Sequence, residues 1–109
     1  MRVLIDECVD PRVRLLFGGH EVATVHERSW CGLEDGPLLK AAERTFDVLV
    51  TIDTHLQFQQ NLSIFEIAVV VMHVPKNQLK YYRALQAELL QAVEGTVRGK
   101  VMHVWPAKD

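Results

Sequence analysis

Three stretches of this chain, VLI at 3–5, DVLVTID at 47–53 and IAVVVM at 67–72, carry apolar residues at consecutive rather than alternate positions. A strand of that kind must be buried on both faces, which happens in parallel sheets covered by helices on either side. Between these runs lie segments with helical signals. Asp10 followed by Pro11 reads as an N-cap and first-turn pair, with a helix expected up to the stop at Gly18 and Gly19. HEVATVH at 20–26 reads as a second strand, and a longer loop, ERSWCGLEDG, leads to Pro37 and the helical spacing of LLKAAERTF. Thr54 is placed to cap a short helix through LQFQQNL, and EIAVVVMHV at 66–74 reads as a fourth strand ending at Pro75. Leu79, Tyr82, Leu85, Leu89 and Val93 fall three or four apart, which predicts one long amphipathic helix ending near Gly95 or Gly99. KVMHVW supplies a fifth strand. The expected fold class is therefore α/β: a mostly parallel sheet of about five strands, helices on both faces, and right-handed crossovers.

A chain of 109 residues that is 49% hydrophobic has the size of one domain, 1–109, and can bury a core without disulfide or metal staples. The longest apolar stretch, at 67–72, is too short to span a bilayer, and the N-terminus lacks a signal-peptide layout, so a soluble cytoplasmic protein with no membrane partner is expected. Cys8 and Cys31 have no metal-ligand spacing and read as reduced thiols. The net charge of −2 supplies no general basic field. Nucleic-acid binding must then come from a local patch or a bound cation.

In an open parallel sheet, ligands sit outside the carboxyl ends of the strands. The first strand ends at Asp6 and Glu7, the third at Asp53, and Asp35 opens the second helix on the same side of the sheet. Carboxylates gathered there repel one another, and a hard divalent cation such as Mg²⁺ or Mn²⁺ relieves the repulsion. Such an ion holds a phosphodiester, acidifies a bound water and stabilises transition-state charge, which is the chemistry of a metal-dependent nuclease. The plainer readings are that Asp35 and Asp53 cap helices and that Glu7 is a solvated loop residue. Asp6 resists such a reading, because an acid directly after a buried strand must find a partner or face a cleft.

DECVD, GHEV, WCGLEDG followed by LL, FDVLVTID with HLQFQQNL, and IAVVVM run in the order of the PIN-like proteins of the DUF5615 family, which the chain resembles up to about residue 72. The resemblance implies a compact PIN-like three-layer sandwich whose acids bind Mg²⁺ or Mn²⁺ and cut single-stranded RNA, often as the toxin of a toxin–antitoxin pair. It implies that Asp6, Glu7, Asp35 and Asp53 are catalytic, with Asp6, Asp35 and Asp53 on the metal. His55 stands where many relatives place a further Asp, and Asp35 where one branch of the family often has Asn.

Gln60 and Asn61, which match the family's amide run, and Arg12, just beyond the first acidic turn, are the candidate substrate-binding residues. A polar helix face with an Asn cap is the plainer account of the amides. Trp30 reads as a plug holding down its loop, and no two of the five histidines have zinc-ligand spacing. Two other functional classes compete. One is an inactive scaffold that binds a partner such as an antitoxin-like protein, and the long helix also offers a face for a homodimer. The other is a phosphoacceptor receiver-like domain, which needs a Ser or Thr after the fourth strand where this chain has His73 to Pro75.

Overall fold

The computed structural model describes residues 1–106. Strands β1 (Arg2–Ile5), β2 (Glu21–Thr24), β3 (Val48–Thr51), β4 (Ala68–Met72) and β5 (Val101–Val104) form one sheet in the order β2-β1-β3-β4-β5, and every pairing is parallel. The expected α/β class is what the chain adopts.

Neighbouring strands pair in phase, with Leu4 opposite Leu49 and Leu49 opposite Val69, so residues of one parity share a face. On one face Val3, Ile5, Val48, Val50, Val70 and Met72 form a core with Val13, Leu16, Tyr82, Leu85, Leu89 and Val93. On the other, Leu4, Leu49, Val69 and Val71 meet Leu38, Leu39, Leu56, Leu62 and Phe65. The uninterrupted apolar runs thus feed two cores at once. Each fully buried aliphatic side chain contributes on the order of 1.5–3 kcal/mol.

The first core is covered by a 3₁₀ helix (Pro11–Leu16), α3 (Leu79–Ala84) and α4 (Gln86–Glu94), and the second by α1 (Asp35–Ala42), α2 (Leu56–Gln59) and a second 3₁₀ helix (Leu62–Ile64). This division departs from the expected uniform crossover hand. The steps from β2 to β3, β3 to β4 and β4 to β5 all advance in one direction, yet the last crosses the face opposite to the other two. The first step runs the other way over that opposite face, so three of the four crossovers share one hand and the last has the reverse. The physical reason lies in the first crossover. A six-residue 3₁₀ helix cannot cover its face of the sheet, and the α3–α4 pair fills the remainder beside it.

Asp10 caps the first 3₁₀ helix as expected, its Oδ1 accepting from the Arg12 N–H at 2.9 Å, with Pro11 in the first turn. The expected long helix is broken at Leu85, whose φ of −114° and ψ of 16° separate α3 from α4. His55, rather than Thr54, occupies the position before α2. Among the described residues no helix is long and apolar enough to cross a membrane.

Candidate metal-binding site

From β1 the chain moves outward to β2, and from β3 it moves the opposite way to β4, so the sheet changes direction between β1 and β3. A crevice outside the carboxyl ends follows from that reversal, because the connecting segments diverge there. Ile5 pairs with Val50, which sets Asp6 beside Thr51, and the Asp6 N–H continues the ladder to the Val50 carbonyl at 3.0 Å.

Asp6 is 8% exposed, and both of its carboxylate oxygens accept hydrogen bonds. Oδ2 accepts from the Thr51 hydroxyl at 2.7 Å, Oδ1 from the Glu7 N–H at 2.9 Å, and the Cys8 thiol lies 3.6 Å from Oδ2. The same Thr51 oxygen accepts from the Asp53 N–H at 3.0 Å. One hydroxyl therefore fixes both strand-end acids. Burial, then the Asp6 charge, pushes the Cys8 thiol up from its ordinary value, so it stays protonated beside the carboxylate.

Asp53 accepts the His55 N–H on Oδ1 at 2.9 Å, a local turn that leads into α2 while the residue still lines the crevice. Asp35 is the first residue of α1. Glu34 holds the cap position without a side-chain bond, so Asp35 is not consumed in capping. Burial raises the Asp35 carboxyl above its ordinary value, and the charges of Asp53, Asp6 and Glu34 raise it further. Glu7 reaches across to the long loop, where its carboxylate accepts the Gly32 N–H at 3.1 Å. Gly32 has a φ of 84°, a left-handed conformation that a side chain would strain, and this bend presents the amide to Glu7.

Asp6, Glu7, Cys8, Asp35, Ile52 and Asp53 line an open crevice of about 350 Å³. Among the described residues no Lys or Arg lines it. The ion pairs among the described residues, Arg12–Asp10, Arg14–Glu27, Lys40–Glu43 and Arg98–Asp47, involve none of its four acids. The crevice thus concentrates uncompensated negative charge, and its donors are the hard oxygens that suit Mg²⁺ or Mn²⁺. As arranged, no three His, Cys, Asp or Glu side chains among the described residues stand close enough to enclose an ion. A closed ligand set requires a side-chain rotation, for which Asp35, whose side chain has no hydrogen-bond partner among the described residues, is the available group.

The candidate substrate residues separate. The Gln60 amide oxygen lies 3.3 Å from where a Cβ on Gly36 would stand, which places it against the first turn of α1 next to Asp35. Asn61 caps the second 3₁₀ helix, accepting from the Ser63 N–H at 3.3 Å and its hydroxyl at 2.6 Å. Arg12 is tied to Asp10, with Nη2 to Oδ2 at 2.7 Å, and lies outside the crevice lining. Trp30 packs edge-on against Phe46 and under Arg28, as expected of a loop plug. Thr51 and Cys8 are parts of the site that sequence reasoning missed. Comparison with protein-family models, curated proteins and solved structures gives no match to any of them.

Proposed function

We propose that this chain is a Mg²⁺- or Mn²⁺-dependent ribonuclease of PIN-like type that cuts single-stranded RNA, the activity of a toxin controlled by an antitoxin-like protein. The observation that supports it is the crevice at the β1/β3 reversal, which Asp6, Asp35 and Asp53 line with no basic side chain among the described lining residues. Those three carboxylates would hold the ion. When bound, such an ion supplies charge stabilisation at the phosphoryl oxygens and a water acidified toward neutrality. The protein's own groups do the remainder. Thr51 and the Glu7 amide orient Asp6, while the Glu7 carboxylate, anchored to Gly32 through one oxygen, keeps a second to accept a proton from the attacking water.

The test is incubation of the purified protein with a fluorescent single-stranded RNA, with Mn²⁺ and with chelator, alongside Asp53→Asn and Asp35→Asn. Cleavage that needs Mn²⁺ and is lost in both variants is expected. Cleavage that survives the chelator or both substitutions would overturn the proposal. A second reading, the partner-binding scaffold, draws on the lack of three acids at ion-enclosing distance. It wins if calorimetry shows no Mn²⁺ binding and no RNA is cut. The strand order is also that of receiver domains. Such a site, however, needs a Ser or Thr directly after β4, where this chain has His73, Val74 and Pro75.

A further inference from the structure

Beside the acidic crevice, over the carboxyl ends of β3 and β4, lies a second open cavity of about 450 Å³. The two share Ile52 as a common wall, and Thr54, directly after Asp53, lines the second. Across from Thr54 the cavity is bounded by His73, Lys76 and Asn77. Lys76 is exposed, and among the described residues it makes no ion pair and no other Lys or Arg lines either space. Asn77 accepts on Oδ1 from the Asp10 N–H at 2.8 Å and from the Tyr82 hydroxyl, which leaves its amide N–H groups free to donate.

His73 extends the cavity outward. Its ring stacks on Trp105 with centroids 4.5 Å apart and planes 11° apart, and its Nε2 lies 2.8 Å from His103 Nδ1. His103 also stacks under Trp105, and its Nε2 lies 3.0 Å from the Gln57 Oε1. An amide oxygen only accepts, so His103 Nε2 donates to it, and His103 Nδ1 accepts from His73 Nε2. The planes of both rings are thereby fixed by hydrogen bonds from α2 through β5 to the end of β4. Trp105, supported on both rings, remains 57% exposed. A large aromatic left in water and held rigid from below is an aromatic platform for an unpaired base.

We propose that this cavity and the Trp105 face form the binding track for the RNA strand leaving the acidic crevice, with Lys76 and Asn77 on a backbone phosphate and Trp105 stacked on a base. The proposal rests on the ribonuclease reading in taking single-stranded RNA as the ligand. A chain with a net charge of −2 has no general field to hold a polyanion, so a local cation next to a stacking surface must do so. A duplex, whose bases are already stacked on each other, offers the platform nothing.

The experiment measures fluorescence anisotropy of labelled oligouridylate with the full chain in chelator at low salt, where binding does not depend on cleavage. Trp105→Ala is expected to weaken binding roughly ten-fold, the scale of one lost base stack, with the salt dependence unchanged. Trp105→Phe restores most of the affinity, which shows that the loss is of stacking rather than of fold. Lys76→Gln weakens binding and lowers the log–log salt slope by about 0.7, one phosphate contact on a single strand. Binding of oligouridylate by the wild type that neither Trp105→Ala nor Lys76→Gln weakens overturns the track, as does no binding at all or a duplex bound equally well. The two readings fail separately. Mn²⁺-dependent cleavage with wild-type KM in both variants removes the track and keeps the nuclease. Binding through Trp105 and Lys76 without cleavage in any metal keeps the track and removes the nuclease.

Discussion

Asp6 and Asp35 face the same crevice with opposite energetics. Asp6 accepts charge-assisted bonds from Thr51 and Glu7, whereas Asp35 has burial and three like charges and no compensating donor. Asp6→Asn replaces one accepting oxygen with an amide NH₂ that can only donate, so one of the two bonds is lost and the other becomes a neutral one, and we expect it to lower stability by about 1–3 kcal/mol. Asp35→Asn removes a charge that the fold disfavours and should raise stability in chelator. Thermal melts of the two variants check the opposite signs, and both variants should lose metal-dependent cleavage. Asp6 and Asp53 were legible in the sequence because a carboxylate straight after a doubly buried strand has few places to go. Thr51 was not. Threonine is a common strand residue, and nothing in VLVT signals that its hydroxyl bridges two acids two strand-ends apart. Thr51→Val, nearly the same shape, should cost roughly 1–3 kcal/mol by leaving the Asp53 N–H without an acceptor and Asp6 short of a donor, read as a lower urea midpoint.

Strands were legible for a physical reason that helices lacked. Burial on both faces forces VLI, VLV and AVVVM to be apolar throughout, and Thr51, at the end of β3, is the first residue of its strand that can be polar. The helical spacing of Leu79 to Val93 is equally regular, yet the helix breaks at Leu85 without a Pro or Gly to announce it. The cause is tertiary: α3 packs on the first 3₁₀ helix, while α4 packs on β4 and β5. At the junction, Gln86 Nε2 donates to the Leu16 carbonyl at 3.1 Å, and Leu85 is fully buried. Gln86→Leu therefore removes the donor from a carbonyl that ends the 3₁₀ helix, with an expected loss of about 1 kcal/mol. Leu85→Ala opens the core between the two faces of that junction and should cost 2–5 kcal/mol, to order of magnitude, in equilibrium urea unfolding. If the break were mere fraying, Gln86→Leu would leave stability unchanged.

Across the whole molecule, two polar clusters hold opposite edges of the sheet and respond to acid at different pH. At the amino edge, Asp47 accepts from the Arg2 N–H at 2.7 Å and from Arg98 at 3.0 Å, joining the starts of β1 and β3 to the loop before β5. The Arg2 N–H, then Arg98, hold its carboxyl below the ordinary value of 3.8, although partial burial opposes them. At the carboxyl edge, burial and then His103 hold His73 below the ordinary 6.5. Both shifts are downward, so in each case the unfolded chain binds the proton more readily than the folded one. The stability contributed by His73 is present above pH 6.5 and is lost as pH falls from there through its folded value. That of Asp47 persists until pH falls below 3.8. The unfolding free energy should therefore decline in two steps on acidification, measured by urea titrations across pH. His73→Gln should abolish the upper step and leave the lower, while Asp47→Asn should shrink the lower step, which Asp10, Glu27 and Glu43, also held below their ordinary values, share, and should lower stability at neutral pH. A single step, or an upper step that survives His73→Gln, would place the first acid-sensitive contact elsewhere. The upper step also carries a local signature, since the His73 ring that gains the proton is stacked on Trp105 with centroids 4.5 Å apart. Trp105 emission should change over that step and not over the lower one.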